Sequence, residues 1–76
     1  MPRPTKRLVI CLDNTGYEAS LERRKIYVSL PDSRAEKLGM LRVVDESGED
    51  YLYDRHAFKA VTLPQSLRRA VLLAAE

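Results

Sequence analysis

Tryptophan is absent from these 76 residues, cysteine and histidine occur once each, and glycine only three times. Each scarcity excludes something. Cys11 alone cannot close an internal disulfide, and with His56 the only histidine there is no donor set for a zinc site of the usual kind. Charge of one sign is missing too: 13 Lys and Arg stand against 11 Asp and Glu, for a formal charge of +2. So balanced a total does not announce nucleic acid or a membrane surface, and only local clustering can create a field. Long hydrophobic runs are also lacking. The opening run Leu8 to Leu12 is shorter than a signal-peptide core, and no stretch nears the roughly 20 apolar residues of a bilayer span. A cytoplasmic chain with no membrane partner is the plain expectation. Hydrophobic residues make up 45% and charged residues 32%, which is too apolar for a disordered chain. The length admits one small domain, which buries only about 60% of its unfolded surface and leaves little interior for a deep pocket.

What is present divides the chain into short strands. Met1 to Thr5, with two prolines and an arginine, reads as a loose basic arm. Lys6 to Leu12 reads as a first strand, ended by the turn cluster Asp13-Asn14-Thr15-Gly16. Tyr17 to Arg24 follows neither period and is expected to be a long loop anchored by Leu21. Lys25 to Leu30 alternates, with Ile26, Val28 and Leu30 on one face and Lys25, Tyr27 and Ser29 on the other, as a half-buried strand should. After Pro31, Asp32 or Ser33 caps a connector helix through Lys37-Leu38, with Gly39 supplying the left-handed position behind it. Met40 to Asp45 and Asp50 to Asp54 flank Ser47-Gly48 as a hairpin, Arg55 to Phe58 makes one tight helical turn, and Lys59 to Leu63 is a fifth strand. Pro64 suits the first position of a closing helix that runs to about Ala75. On it Leu67, Ala70, Val71 and Ala74 share one face, with Arg68 and Arg69 to the side.

The hairpin can close in two registers. A two-residue turn pairs Val44 with Tyr51 and Arg42 with Tyr53, and turns both tyrosines outward. A three-residue loop, Glu46-Ser47-Gly48 with Gly48 in the left-handed bulge position, pairs Val43 with Tyr51 and Leu41 with Tyr53. The bulge is preferred, because Ser-Gly lacks the Asn or Asp that a mirror-image turn favours. The two-residue turn would also oppose Glu46 to Glu49 and Asp45 to Asp50. Tyr51 and Tyr53 are then expected to face the core, and Arg42 to face outward.

Few residues here can carry chemistry. Asp45, Glu46, Glu49, Asp50 and Asp54 miss the spacing of a calcium loop and read as a solvated hairpin tip. Cys11 lies inside an apolar strand, where a thiol behaves as a small hydrophobe, so a nucleophilic pair with His56 is not expected. No nucleophile elbow, phosphate loop or paired-histidine motif occurs. The cations fall into three groups: Arg3, Lys6 and Arg7; Arg23, Arg24 and Lys25; Arg68 and Arg69. If the fold brings two of these together, they form a patch for phosphate oxygens, with Tyr17 free for base stacking.

Five short strands, a long first loop, an acidic hairpin and a short turn before the last strand describe a small barrel of the SH3-like type. The stretches Cys11 to Tyr17, Lys25-Ile26-Tyr27-Val28 and Asp45 to Phe58 resemble a group of tiny, uncharacterised bacterial and phage SH3-like proteins. In that group a C-x-D-N-x-G turn, a K-x-Y-x-V strand and a D-E-S-G-E-D-Y-L-Y hairpin recur in this order. The resemblance spans roughly Lys6 to Leu63 and implies the fold but little about activity. Two departures stand out: Asp54 where proline is frequent, and the added helix from Pro64 to Glu76. The expectation is a mainly β chain: an arm over 1–5, a five-stranded SH3-like small barrel over 6–63 with a short connector helix, and a C-terminal helix over 64–76. That helix packs on the barrel or on a partner. The function expected is a non-enzymatic interaction module, without metal or cofactor, that docks a protein partner as a monomer or homodimer. Tyr17, Arg23, Arg24 and Arg42 are its candidate binding residues. The alternative is a nucleic-acid-binding barrel that places its Arg and Lys clusters on phosphates.

Overall fold

The structure, a computed structural model, describes residues 6–74. The basic arm over 1–5, the side chain of Ala74 and the helix end at Ala75 and Glu76 lie outside the described part. In chain order the elements are β1 (Arg7–Cys11), β2 (Ile26–Leu30), α1 (Ser33–Lys37), β3 (Met40–Val44), β4 (Asp50–Asp54), a 3-10 turn (Arg55–Ala57), β5 (Phe58–Val61) and α2 (Gln65–Ala74). The strands make one antiparallel sheet in the order β4-β3-β2-β1-β5. It is an open sheet rather than the closed barrel the resemblance implies, with β4 and β5 as its two edges.

Local chemistry sets the connections. Asp32 caps α1 by accepting a hydrogen bond from the Ala35 amide, and Gly39 stops it with φ +76. The hairpin adopts the bulged register: Val43 pairs with Tyr51, Leu41 with Tyr53, and Gly48 sits at φ +84. Asp54 caps the 3-10 turn through the His56 amide. Arg24 adopts φ +68 without being glycine, where its amide donates to the Cys11 carbonyl and the chain turns into β2.

The core lies on one sheet face, where Val9, Cys11, Tyr27, Val43, Tyr53 and Phe58 meet Leu21 from the long loop. On β2 it is therefore Tyr27 and Ser29 that enter this face, while Val28 is buried on the other beside the partner β1 residue Leu8. The strand is covered on both sides because the long loop packs on one sheet face through Leu21 and α2 lies over the other beside Val28. Only one of the two hairpin tyrosines is core: Tyr53 is 5% exposed and Tyr51 48%. Both share a face of the edge strand β4, but Tyr51 lies nearer the hairpin tip, outside the buried cluster that Tyr53 forms with Leu21 and Phe58. Helix α2 corrects a second expectation. Arg68, Val71 and Leu72 are its half-buried positions, whereas Leu67, Ala70 and Leu73 face water, so the inward stripe is rotated from the one the apolar spacing marks. Arg68 fixes that rotation by donating to the Lys6 carbonyl at 2.6 Å.

Candidate functional site

The segment between β1 and β2 is an ordered loop. Asp13 accepts from the Thr15 amide and hydroxyl, Asn14 donates to the Leu21 carbonyl, and the Ser20 and Leu21 amides both reach back to the Tyr17 carbonyl. With Leu21 buried, this loop is tied to the hairpin tip at four points. The Glu46 amide donates to the Ser20 carbonyl at 3.0 Å. The Tyr53 hydroxyl donates to Asp45 at 2.6 Å and lies 3.1 Å from the Ser20 hydroxyl. The Tyr27 hydroxyl donates to Glu46 at 2.5 Å and accepts from the Glu22 amide at 2.7 Å. Lys25 completes the set with an ion pair to Glu46 at 2.7 Å.

These contacts move the protonation equilibria of the groups they join. Burial pushes the Asp45 carboxyl up, but hydrogen bonds from Ser47 and Tyr53 outweigh it and hold the group below its ordinary range. Glu46 is held low by Lys25 first and by Tyr27 second. Burial and the bond to Glu46 drive the Tyr27 phenol far above the usual tyrosine range, and burial with Asp45 raises Tyr53. Two carboxylates expected to be mere solvating charge at a hairpin tip are thus the acceptors that fasten the loop.

What the fastened loop presents is aromatic. Tyr17 rests edge-on against Tyr53 with ring centroids 5.0 Å apart, and Tyr53 in turn meets Phe58 at 6.0 Å. Tyr17 remains 52% exposed, and Tyr51, two positions from Tyr53 on the same strand face, is held by its hydroxyl on Glu49. Around them residues 12–22 and 45–49 contribute Asp13, Glu18, Glu22, Asp45, Glu46 and Glu49, of which Glu46 is paired with Lys25.

Of the residues singled out in the sequence, Tyr17 belongs to this face. Arg23 and Arg24 are exposed at the far end of the loop, where it enters β2. Arg42 lies on the opposite sheet face, pairing with Asp32 and Asp50 at 2.9 Å each, so its charge is already answered. The four do not form one site. Tyr51 was expected in the core, and Asp45 and Glu46 as a solvated hairpin tip, so none of the three was among the candidates, although Asp45-x-Ser47 is the spacing by which an aspartate closes its own turn, here through the Ser47 amide and hydroxyl. Cys11 is fully buried, and burial raises its thiol pKa. His56 meets a single carboxylate, Asp54 at 3.0 Å, and both are open to water. Among the described residues no group of three His, Cys, Asp or Glu side chains is placed to hold a metal ion, and no helix is long and apolar enough to cross a membrane.

Two grooves flank the sheet. One of about 450 Å³ runs between Val71 of α2 and Ile26, Val28 and Val44, with the Lys25–Glu46 pair at its rim. The other, of about 250 Å³, lies where β1 and β5 meet the start of α2 and brings Lys6, Arg7 and Arg68 together. No family model, curated protein or solved structure matches this chain.

Proposed function

We propose that this chain is a non-enzymatic interaction module that docks a protein partner on the face carrying Tyr17 and Tyr51. One observation carries the reading: two half-exposed tyrosines flank a buried third on segments fastened by hydrogen bonds to buried or half-buried acceptors. Aromatic side chains held in place give contact area at little entropic cost, which is the profile of an interface anchor. The carboxylates around them favour a partner segment bearing Arg or Lys, whose cation can lie over a tyrosine ring. A non-enzymatic role is supported by the inert setting of Cys11 and the solvated one of His56. Kinship with the SH3-like small barrels goes with this proposal and is supported by the strand order, the long loop after β1 and the 3-10 turn before β5. A cytoplasmic setting is in keeping with its single, unbridged thiol.

The test is affinity capture from native lysate with the whole chain and with a Tyr17→Ala/Tyr51→Ala variant whose melting curve matches it. A protein retained by the parent and lost by the variant supports the reading. Equal retention on both, or no protein retained, sinks it.

A further inference from the structure

The near-neutral total conceals a spatial division of charge. Residues 6–12 and 55–74, which supply β1, β5 and α2, carry Lys6, Arg7, Arg55, Lys59, Arg68 and Arg69 and not one carboxylate. The tyrosine face, built from 12–22 and 45–49, has the opposite composition. They come from different segments, the carboxylates from the loop after β1 and the hairpin tip and the cations from β1, β5 and α2, although the edge strands β4 and β5 themselves meet where Tyr53 packs on Phe58. Two of the three basic groups of the sequence meet at the β5 side: the Arg68 guanidinium donates to the Lys6 carbonyl, joining the helix to the start of β1 across 62 residues.

We infer that the groove lined by Lys6, Arg7, Thr62 and Arg68 is a second site, which binds the phosphodiester backbone of a single-stranded nucleic acid. No carboxylate lines it, and Leu8, Val61 and Leu63 form its apolar walls. Those walls lower the local dielectric, so its cations act on an anion more strongly than they would on an open surface. Arg68 spends one N–H on the Lys6 carbonyl, out of the five a guanidinium carries. Arg7 is paired with Glu36 at 3.3 Å, an exposed ion pair that is worth little and exchanges readily for a phosphate. Lys59 extends the cationic line, since it lies two residues before Val61 on the same face of β5. A groove of about 250 Å³ flanked by these cations accommodates the phosphates of one backbone.

The measurement is fluorescence anisotropy of a labelled oligothymidylate titrated with the whole protein at two salt concentrations. Three phosphates neutralised on a single strand, by Arg7, Lys59 and Arg68, give a logarithmic salt slope of about −2, so affinity should fall about 18-fold between about 50 and about 200 mM salt. Arg68→Gln should bind more weakly at low salt and lose only about sevenfold over the same interval, as two contacts would. Lys59→Gln, at an exposed position outside the groove lining, guards against an Arg68 change that only releases the helix, and should also weaken binding at low salt. Arg23→Gln/Arg24→Gln should bind like the parent. No anisotropy change at low salt would overturn the assignment, as would loss confined to the Arg23/Arg24 variant. Displacement of the oligonucleotide by inorganic phosphate at an equal phosphate concentration would overturn it in favour of a free-anion site.

Discussion

Tyr53 and Asp45 are eight residues apart at opposite ends of one hairpin, and a 2.6 Å hydrogen bond from the phenol to the carboxylate joins them inside the protein. The same carboxylate receives the Ser47 amide and hydroxyl, so a single buried acceptor sets the turn and the aromatic wall. Tyr53→Phe leaves that carboxylate short of a partner and should cost about 1.5–3 kcal/mol, read from urea unfolding. A cost under about 0.5 kcal/mol would mean the bond does not matter to the fold.

Acid should expose the same relationship. Asp45 and Glu46 are both held below their ordinary values in the fold, so the stability they contribute is complete above those values, 3.8 and 4.5. It is lost as pH falls through the lower, folded values, because the unfolded chain then takes up protons first. Tyr53→Phe removes one of the bonds holding Asp45 down and brings its folded value closer to the unfolded one, so the stability lost in acid should be smaller than in the parent and its loss complete at a higher pH. Urea midpoints across the acid range check this, and superimposable profiles would contradict it.

Alkali tests the Tyr27–Glu46 bond. An ordinary phenol is half ionised near pH 10, whereas Tyr27 is raised well above that by burial and by Glu46. Its contribution to stability is therefore full below about pH 10 and declines as pH rises from there toward the folded value. In an ultraviolet titration of the native protein, Tyr27→Phe should remove amplitude only from the last, unfolding-linked part of the curve. Loss of amplitude near pH 10 would place Tyr27 in an ordinary solvated setting.

Two backbone positions predict opposite effects. Gly48 lies at φ +84 with open space around an added Cβ, so Gly48→Ala should cost about 1–2 kcal/mol by conformational strain alone. Arg24 already bears that strain at φ +68, and Arg24→Gly should stabilise by up to about 1 kcal/mol. Thermal melts of the pair decide it; a destabilised Arg24→Gly would show that its side chain holds the loop.

Helix α2 separates inward from outward leucines. Leu67 and Leu73 are 53% and 63% exposed, so a change of either to Gln should leave stability within about 0.5 kcal/mol. Val71→Asp places a charge in the groove beside Val28 and Val44 and should loosen the helix, seen as faster amide exchange over 65–74. A marked loss at Leu67 would restore the face that apolar spacing marks.

Sequence alone determined the elements, because their causes are local: the Asp32 cap, Gly39, the bulge at Gly48 and the Pro64 start each act within a few residues of where they stand. The hairpin register was legible for the same reason, as turn geometry and like-charge pairs between neighbouring positions decide it. Tertiary structure decided the rest. Alternation says which side chains share a face but not how much of that face another segment covers, so Tyr53 entered the core while Tyr51, on the same strand, stayed half-exposed nearer the hairpin tip. Helical periodicity likewise marks an apolar stripe, yet the rotation of α2 was set by a hydrogen bond to a carbonyl 62 residues away. Charge is additive along a chain but divided in space, and only the fold gathered the carboxylates of the first loop and the hairpin tip and joined Lys6 of the chain start to Arg68 of α2.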